Sequence, residues 1–583
     1  MRAERLGVLL VLAALSSSCA VIPVGGPFQV EAAGGGDPMS KPFHRMVAVP
    51  PKQEWGPTTV VQGLQAAMAA YPNDRGMLQQ YLTPDARRDW KLSGAVTVVD
   101  KLDFDSATPA ANGKDEASVT LMATPVAYIT TDDQYKPIQT PKQAKYTFKL
   151  TKTPNGWRVK DLQQGLLLSK ADVDMDYRAT NLYYLNGQPG GLSDPDKLVV
   201  DRVWLRVKPT ESFAQTIVER LLKGPTGALQ GAVGSVFPKD RMRVESIRLD
   251  DRVVINLSGD IDPEQVDLSQ LQGQLRASLS NNNVVNGRPI EVQLDGEPFY
   301  STETATIPPK LDDHWLDTGD GDGYYTLNGG LRHMPPPDRP EGEPVYGPAG
   351  APNPDPTGFA VSNNGDVAAI SQANHGIWVV PTTKDGRWEQ WFRGEHLTPP
   401  SWSRDGSLWT YDADKGQVLR CTQKCANGAE QPTHVSAPSL VSADVTDLRI
   451  ARDGVRVAAR IGKQEVRIGA LAYGDGMLSN VQTLVQVDKG EEIQDIAWLD
   501  GEHVLVLVTG KRGTMLNQVN VGDGTTEQVT SNNQMQSIAA YGNRVYAEIK
   551  EGKDSKDVIG FNLDPAQTPV KPLKGQIPIF ALG

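Results

Sequence analysis

Three cysteines carry the most definite chemistry in this chain: Cys19 in LSSSCA, and Cys421 with Cys425 in CTQKC. A thiol can be alkylated, oxidised to a disulfide or bound to a metal, and its surroundings decide which. If Cys19 is used on its own, Cys421 and Cys425 remain as an even pair. Outside the cytosol such a pair closes a small disulfide loop; the other reading is two free thiols. Two thiolates with no second pair and no nearby histidine do not complete a four-ligand zinc site. The carboxylates offer less. DTGDGDGYY brings Asp317, Asp320 and Asp322 close together, and their oxygens suit calcium. Counted from Asp320, however, Tyr325 stands where an EF-hand loop needs its sixth-position glycine, so a solvated turn is the plainer reading. The histidines (His44, His314, His333, His375, His396, His434 and His503) are scattered along the chain. No HExxH, no GxSxG and no phosphate-cradling glycine loop ending in Lys-Ser or Lys-Thr occurs. The expectation is no catalytic residue, no cofactor and no metal.

The segment that places Cys19 reads as an export signal: MRAER supplies basic charge, LGVLLVLAAL is an uncharged apolar run, and three serines lead to the cysteine. As a helix the run is about 15 Å long, half of a roughly 30 Å hydrocarbon core, and too short to stay as a membrane span. Its end resembles a bacterial lipobox. That resemblance implies a diacylglyceryl group on the Cys19 thiol and cleavage leaving Cys19 as the first mature residue. One departure stands: Leu15 lies four residues before the cysteine, and Ser16 occupies the usual leucine position. The other reading is an ordinary secretory signal, for which Ser16 and Ser18 are small enough.

With 583 residues the chain is too long for one core and suggests about three domains. Its net charge of -12 and pI near 5.2 argue against an electrostatic grip on nucleic acid or anionic headgroups, so attachment to a membrane falls to lipid. Residues 20–57, rich in glycine and proline, read as a flexible stalk. A stiffer proline-rich stretch, 334–356, divides the remainder.

From Thr58, Val61, Leu64, Met68 and Tyr71 recur at helical spacing, a second short helix follows Pro72, and alternating strands run from Val96 to Val159. Helices first and an antiparallel sheet after make an α+β domain over 58–195, similar to the nuclear transport factor 2-like cone. Residues 200–300 read as βαββαβ, with Ser212 and Gln215 as a capping-box pair and Gly224-Pro225 as a helix stop. Leu222, Gly224, Pro225, Leu257, Ser258, Gln274, Leu275, Asp295 and Gly296 give this stretch its resemblance to a GerMN domain, an extracytoplasmic binding module. Leu294 departs from the usual valine.

In the last portion five segments repeat a strand, a glycine turn and a strand: FAVSNNGDVAAIS, PSWSRDGSLWTYD, LRIARDGVRVAAR, IAWLDGEHVLVLV and IAAYGNRVYAEI. Their glycines, Gly365, Gly406, Gly454, Gly501 and Gly542, recur at a period in the forties, as propeller blades do. An irregular β-sandwich is the alternative. The expectation is an all-β propeller of five or six blades over 358–583. Residues 301–357 hold its first strands and the proline-rich linker, with YYTLNGGLRHM and the C-terminal IPIFALG completing a sixth blade.

Signal peptide (1–18), stalk (19–57), cone, GerMN domain and propeller in this order resemble the LpqB lipoprotein family of actinobacteria. The resemblance implies a non-enzymatic lipoprotein on the extracytoplasmic face of the cell membrane. Its partner would be the extracytoplasmic sensor domain of a membrane histidine kinase of the MtrA and MtrB two-component type, acting on cell-wall, division or development programmes. From a different class, the alternative is a cell-envelope glycan-binding protein or enzyme that uses the propeller face.

Overall fold

The computed structural model describes residues 28–32 and 44–582 apart from short internal segments, the longer ones being 110–114, 189–193, 302–311, 317–322 and 564–569. Cys19 and the segment read as a signal sequence lie outside the described residues. Within the stretch read as a flexible stalk, Phe28–Ala32 and His44–Ala48 pair as antiparallel strands, and the second packs on the first helix. The glycine and proline content that suggested a stalk therefore flanks a hairpin, with Ala48 buried in the first core.

That helix, α1 (Pro57–Ala70), starts with proline at its first turn, where no N–H is needed, and buries Val60, Val61, Leu64 and Met68. Gly63 lets the Tyr81 ring lie directly against the helix, since a Cβ there would fall 2.5 Å from the phenol oxygen. α2 (Arg75–Gln80) and α3 (Pro84–Asp89, capped by the Thr83 hydroxyl) follow. The helices pack with two sheets, one built on the long strands Glu116–Ala123 and Ala144–Thr153, the other on Val96–Val99 and Pro125–Ile129. Alternation along Ala144–Thr153 turns Tyr146, Phe148 and Leu150 inward and leaves lysines outside. α4 (Lys170–Asp176), held by a Ser169–Asp172 capping box, closes this unit.

The sequence reading ended the first domain at 195. In the structure Tyr177–Tyr184 pairs with Val199–Arg206 along its whole length, and Leu182 and Tyr184 lie in the second core, so this strand belongs with the second unit. Strand periodicity marks a strand but not its partner, which only the pairing settles. The second unit continues with α5 (Phe213–Leu222) and α6 (Leu268–Ser280) against a four-stranded sheet of Met242–Leu249, Val253–Gly259, Ile290–Leu294 and Glu297–Ser301. Ser212 does cap α5 by accepting from the Gln215 amide, but the Gln215 side chain turns forward to Glu219 instead of completing a capping box.

The C-terminal half holds five four-stranded antiparallel sheets in sequence order, spanning 356–393, 401–435, 445–486, 492–531 and 535–574. A further sheet joins Gly323–Leu327 and Gly330–His333 to the C-terminal Gln576–Phe580. The proline-rich stretch does not act as a spacer. The Val345 amide donates to Leu331, and Val345 and Ala349 are buried with Leu331, Phe359 and Val367. Prolines lack donors but keep carbonyl acceptors and an extended φ, so the segment lies down along the sheets.

Candidate functional site

Cys421 ends the strand Gln417–Cys421 and is disulfide-bonded to Cys425 in the short 3-10 turn Gln423–Gly428. Both are buried beside Trp391, Trp402 and Leu419, so the bond ties a loop to a core and faces no cavity as a reactive thiol. Asp317, Asp320, Asp322 and His314 lie outside the described residues. The other histidines stay apart. His396 makes an exposed ion pair with Asp414 at 2.7 Å, His333 lies against Tyr324, and His503 contacts both Asp500 oxygens at 3.0 Å. Among the described residues no group of three or more His, Cys, Asp or Glu is arranged to hold a metal ion.

The structure instead concentrates polar chemistry at two places that motif searches passed over. The first is the joint between the second unit and the repeat half. Arg202 Nε donates to Asp523 Oδ2 at 2.7 Å, and the Trp204 indole N–H donates to the same oxygen at 3.0 Å. Asn181 donates to both Glu502 oxygens, at 3.1 and 3.0 Å, and Asn186 to the Asp453 carbonyl at 3.0 Å. Arg456, itself paired with Asp453 at 2.7 Å, also donates to the Val200 carbonyl. Burial pushes the Asp523 carboxyl up, but Arg202 and Thr525 outweigh it and hold it below the usual carboxylate range. The first unit is tied in as well: Tyr135 stacks on Trp204 at 4.4 Å, Arg220 pairs with Asp133 at 3.0 Å, and Gln139 donates to the Leu484 carbonyl at 3.0 Å. Asp453 and Glu502 sit in the glycine turns of the third and fourth repeats. The turn motif was thus legible, whereas its use as a fastener was not.

The second place is a cavity of about 320 Å³ lined by the first strands of the sheets. Four of those strands are bulged at matching positions, Pro356/Gly358, Val445/Asp447, Ile493/Asp495 and Met535/Ser537. A bulge re-aims the side chain it displaces, and here Asp447, Asp495 and Ser537 contribute to the lining with Arg449, Arg460 and Glu548. Asp447 pairs with Arg449 at 3.1 Å, and Glu548 with Lys556 at 2.8 Å. Burial pushes the Asp495 carboxyl up to about 6 against the pull of Arg449. The cavity can thus offer donors and acceptors of both charges. The bulges leave little sequence signal, because these inner strands are buried over much of both faces and show no clear two-residue alternation for an inserted residue to break.

Three family models cover the chain in succession: "Lipoprotein LpqB, N-terminal domain" over 50–174, "Sporulation and spore germination" (Germane) over 181–299 and "Lipoprotein LpqB beta-propeller domain" over 336–557. The chain belongs to the LpqB lipoprotein family. Proteins named Lipoprotein LpqB match it nearly end to end. That of Thermobifida fusca is 27% identical, covering 91% of this chain and 92% of its own. Those of Streptomyces coelicolor and Mycobacterium tuberculosis are each 26% identical, covering 88% and 87% of both chains respectively. The break between the first two models, at 174 and 181, brackets the start of the strand Tyr177–Tyr184, consistent with its placement in the second unit. No helix among the described residues is long and apolar enough to cross a membrane.

Proposed function

We propose that this LpqB-family chain is a non-enzymatic regulator, tethered by lipid on Cys19 to the outer face of the cell membrane. In this reading the thiol carries a diacylglyceryl group, the acyl chains being of palmitate type, and the folded body binds the extracytoplasmic sensor domain of a histidine kinase of the MtrA and MtrB type. Its output is on cell-wall homeostasis, division or development. The observation that carries the reading is the near full-length match to Lipoprotein LpqB proteins, together with the three family models in succession along this chain. The first unit is read as a nuclear transport factor 2-like cone and the repeat half as a six-bladed propeller, its last blade formed by Gly323–His333 and Gln576–Phe580.

Two physical features favour a binding role. Buried polar joints fix the three units as one body, so a partner meets a surface whose ordering cost is already met in the fold. A tether raises the effective concentration of that surface near a membrane partner to the millimolar range, so a modest interface suffices. The test is direct binding of the full mature chain to a purified kinase sensor domain, together with regulator phosphorylation in cells with and without the lipoprotein. No binding and unchanged phosphorylation would overturn the proposal.

A further inference from the structure

A cleft of about 770 Å³ opens between the first and second four-stranded sheets of the repeat half, where the turns around Gly365 and Gly406 meet the loop 381–389. We propose that it binds a neutral, polyhydroxylated ligand, a glycan chain. The same glycine turns in the third and fourth repeats are covered by the second unit through Asn186, Asn181 and Arg456. Those of the first and second repeats line the cleft instead.

The first turn differs chemically from the next three. In repeats two, three and four an aspartate precedes the glycine and is consumed by its own turn. Asp405 accepts from the Ser407 amide, Asp453 from the Val455 and Arg456 amides, and Asp500 from the Glu502 and His503 amides. The first repeat reads SNNGD, so its carboxylate follows the glycine. There the Ser362 hydroxyl takes over the turn, accepting from the Asn364 amide at 3.2 Å and the Asp366 amide at 2.9 Å. The Asp366 carboxylate is left half-buried with no hydrogen bond or ion pair among the described residues, and desolvation alone pushes its pKa up. The side chains of Asn364 and Arg387, also in the lining, are equally uncommitted.

Partly exposed to the cleft, this carboxylate is solvated by water there, and a ligand that displaces the water must donate to it in its place. Asp366, Asn364 and Arg387 together ask for a ligand that donates and accepts within a few ångströms, which vicinal hydroxyls do. Val379, Trp391 and Trp402, themselves buried in the core beneath, form the apolar floor of the cleft. Anions are disfavoured, because Asp366, Asp385, Glu389 and Asp405 outnumber Arg387 and Arg404 in the walls.

The test is isothermal titration of the full mature chain with chitotetraose, cellotetraose and mannotetraose to about 10 mM, well above the Kd of a millimolar site. Spermine and inorganic phosphate serve as the cationic and anionic arms. At least one oligosaccharide is expected to bind saturably. Asp366→Asn is expected to weaken it about tenfold or more, the loss of one hydrogen bond to a charged group, and Asn364→Ala about fivefold, the loss of a neutral one, while circular dichroism stays unchanged. The proposal is overturned if no oligosaccharide binds, if both folded variants bind as wild type does, or if only spermine or phosphate is taken up.

Discussion

Replacing Asp523 by alanine removes the acceptor for the Arg202 guanidinium at 2.7 Å, for the Trp204 indole at 3.0 Å and for the Thr525 amide and hydroxyl at 3.0 and 2.7 Å. The Asp523 side chain has 0% exposure, while Arg202 keeps 25%, so the guanidinium loses its partner but not all its water. Truncating one member of a buried ion pair costs about 3–5 kcal/mol, and this solvent access puts Arg202 at the lower end. The orphaned indole N–H adds about 1 kcal/mol, giving about 4 kcal/mol for Asp523→Ala. Asp523→Asn keeps the shape and one oxygen, and about 2 kcal/mol is expected. Since the loss falls on the joint, hydrogen exchange reads it best: Val199–Arg206 should lose protection, while His503–Gly510, in the interior of its own sheet, should not. The sign of the pH effect follows from the depressed carboxyl. Its contribution is present above the unfolded value, near pH 4, and is lost as pH falls through the folded pKa. If Asp523→Ala leaves the protection of Val199–Arg206 within about 0.5 kcal/mol of wild type, this pair does not fasten the two units.

Burial opposes protonation of His503, yet the hydrogen bond and charge of Asp500 outweigh it and raise its pKa. Its contribution is therefore complete below about pH 6.5 and lost as pH rises through the folded pKa, a dependence in thermal melts that His503→Gln should abolish. Joint replacement of Cys421 and Cys425 by serine opens a loop of sequence separation 4, for which chain entropy predicts about 2 kcal/mol. Chemical denaturation with and without reductant checks this, and the double variant should be insensitive to the reductant. Cys19→Ser should release the protein from membranes, and mass spectrometry of its N-terminus should find no lipid. An unlipidated, freely secreted wild type would contradict the anchor.

Local signals predicted local structure well. The Val61, Leu64 and Met68 face of α1, the cap at Ser212 and the five glycine turns of the repeats are each set by a few neighbouring residues, and each stands where the local pattern put it. What could not be read depends on distant partners. The strand Tyr177–Tyr184 alternates like any other, and only its register with Val199–Arg206 assigns it to a unit. The proline-rich stretch looks like a spacer until Val345 and Ala349 are seen to be buried. The polar joint was invisible for the same reason: Arg202 and Asp523 are ordinary charges in sequence, 321 positions apart, that meet only once both units are folded.

The central claim is that the body meets a sensor kinase outside the membrane, and crosslinking in intact cells tests it most directly. Full-length chain carrying a photo-crosslinker at the exposed surface residues Tyr346, Val441 or Leu268 would be irradiated and its captured peptides identified by mass spectrometry. The account predicts peptides from the extracytoplasmic domain of a histidine kinase at one or more of these positions, lost when Cys19→Ser frees the chain. Capture that never includes a kinase, at any position, with the wild-type chain shown to be membrane-bound, would contradict it.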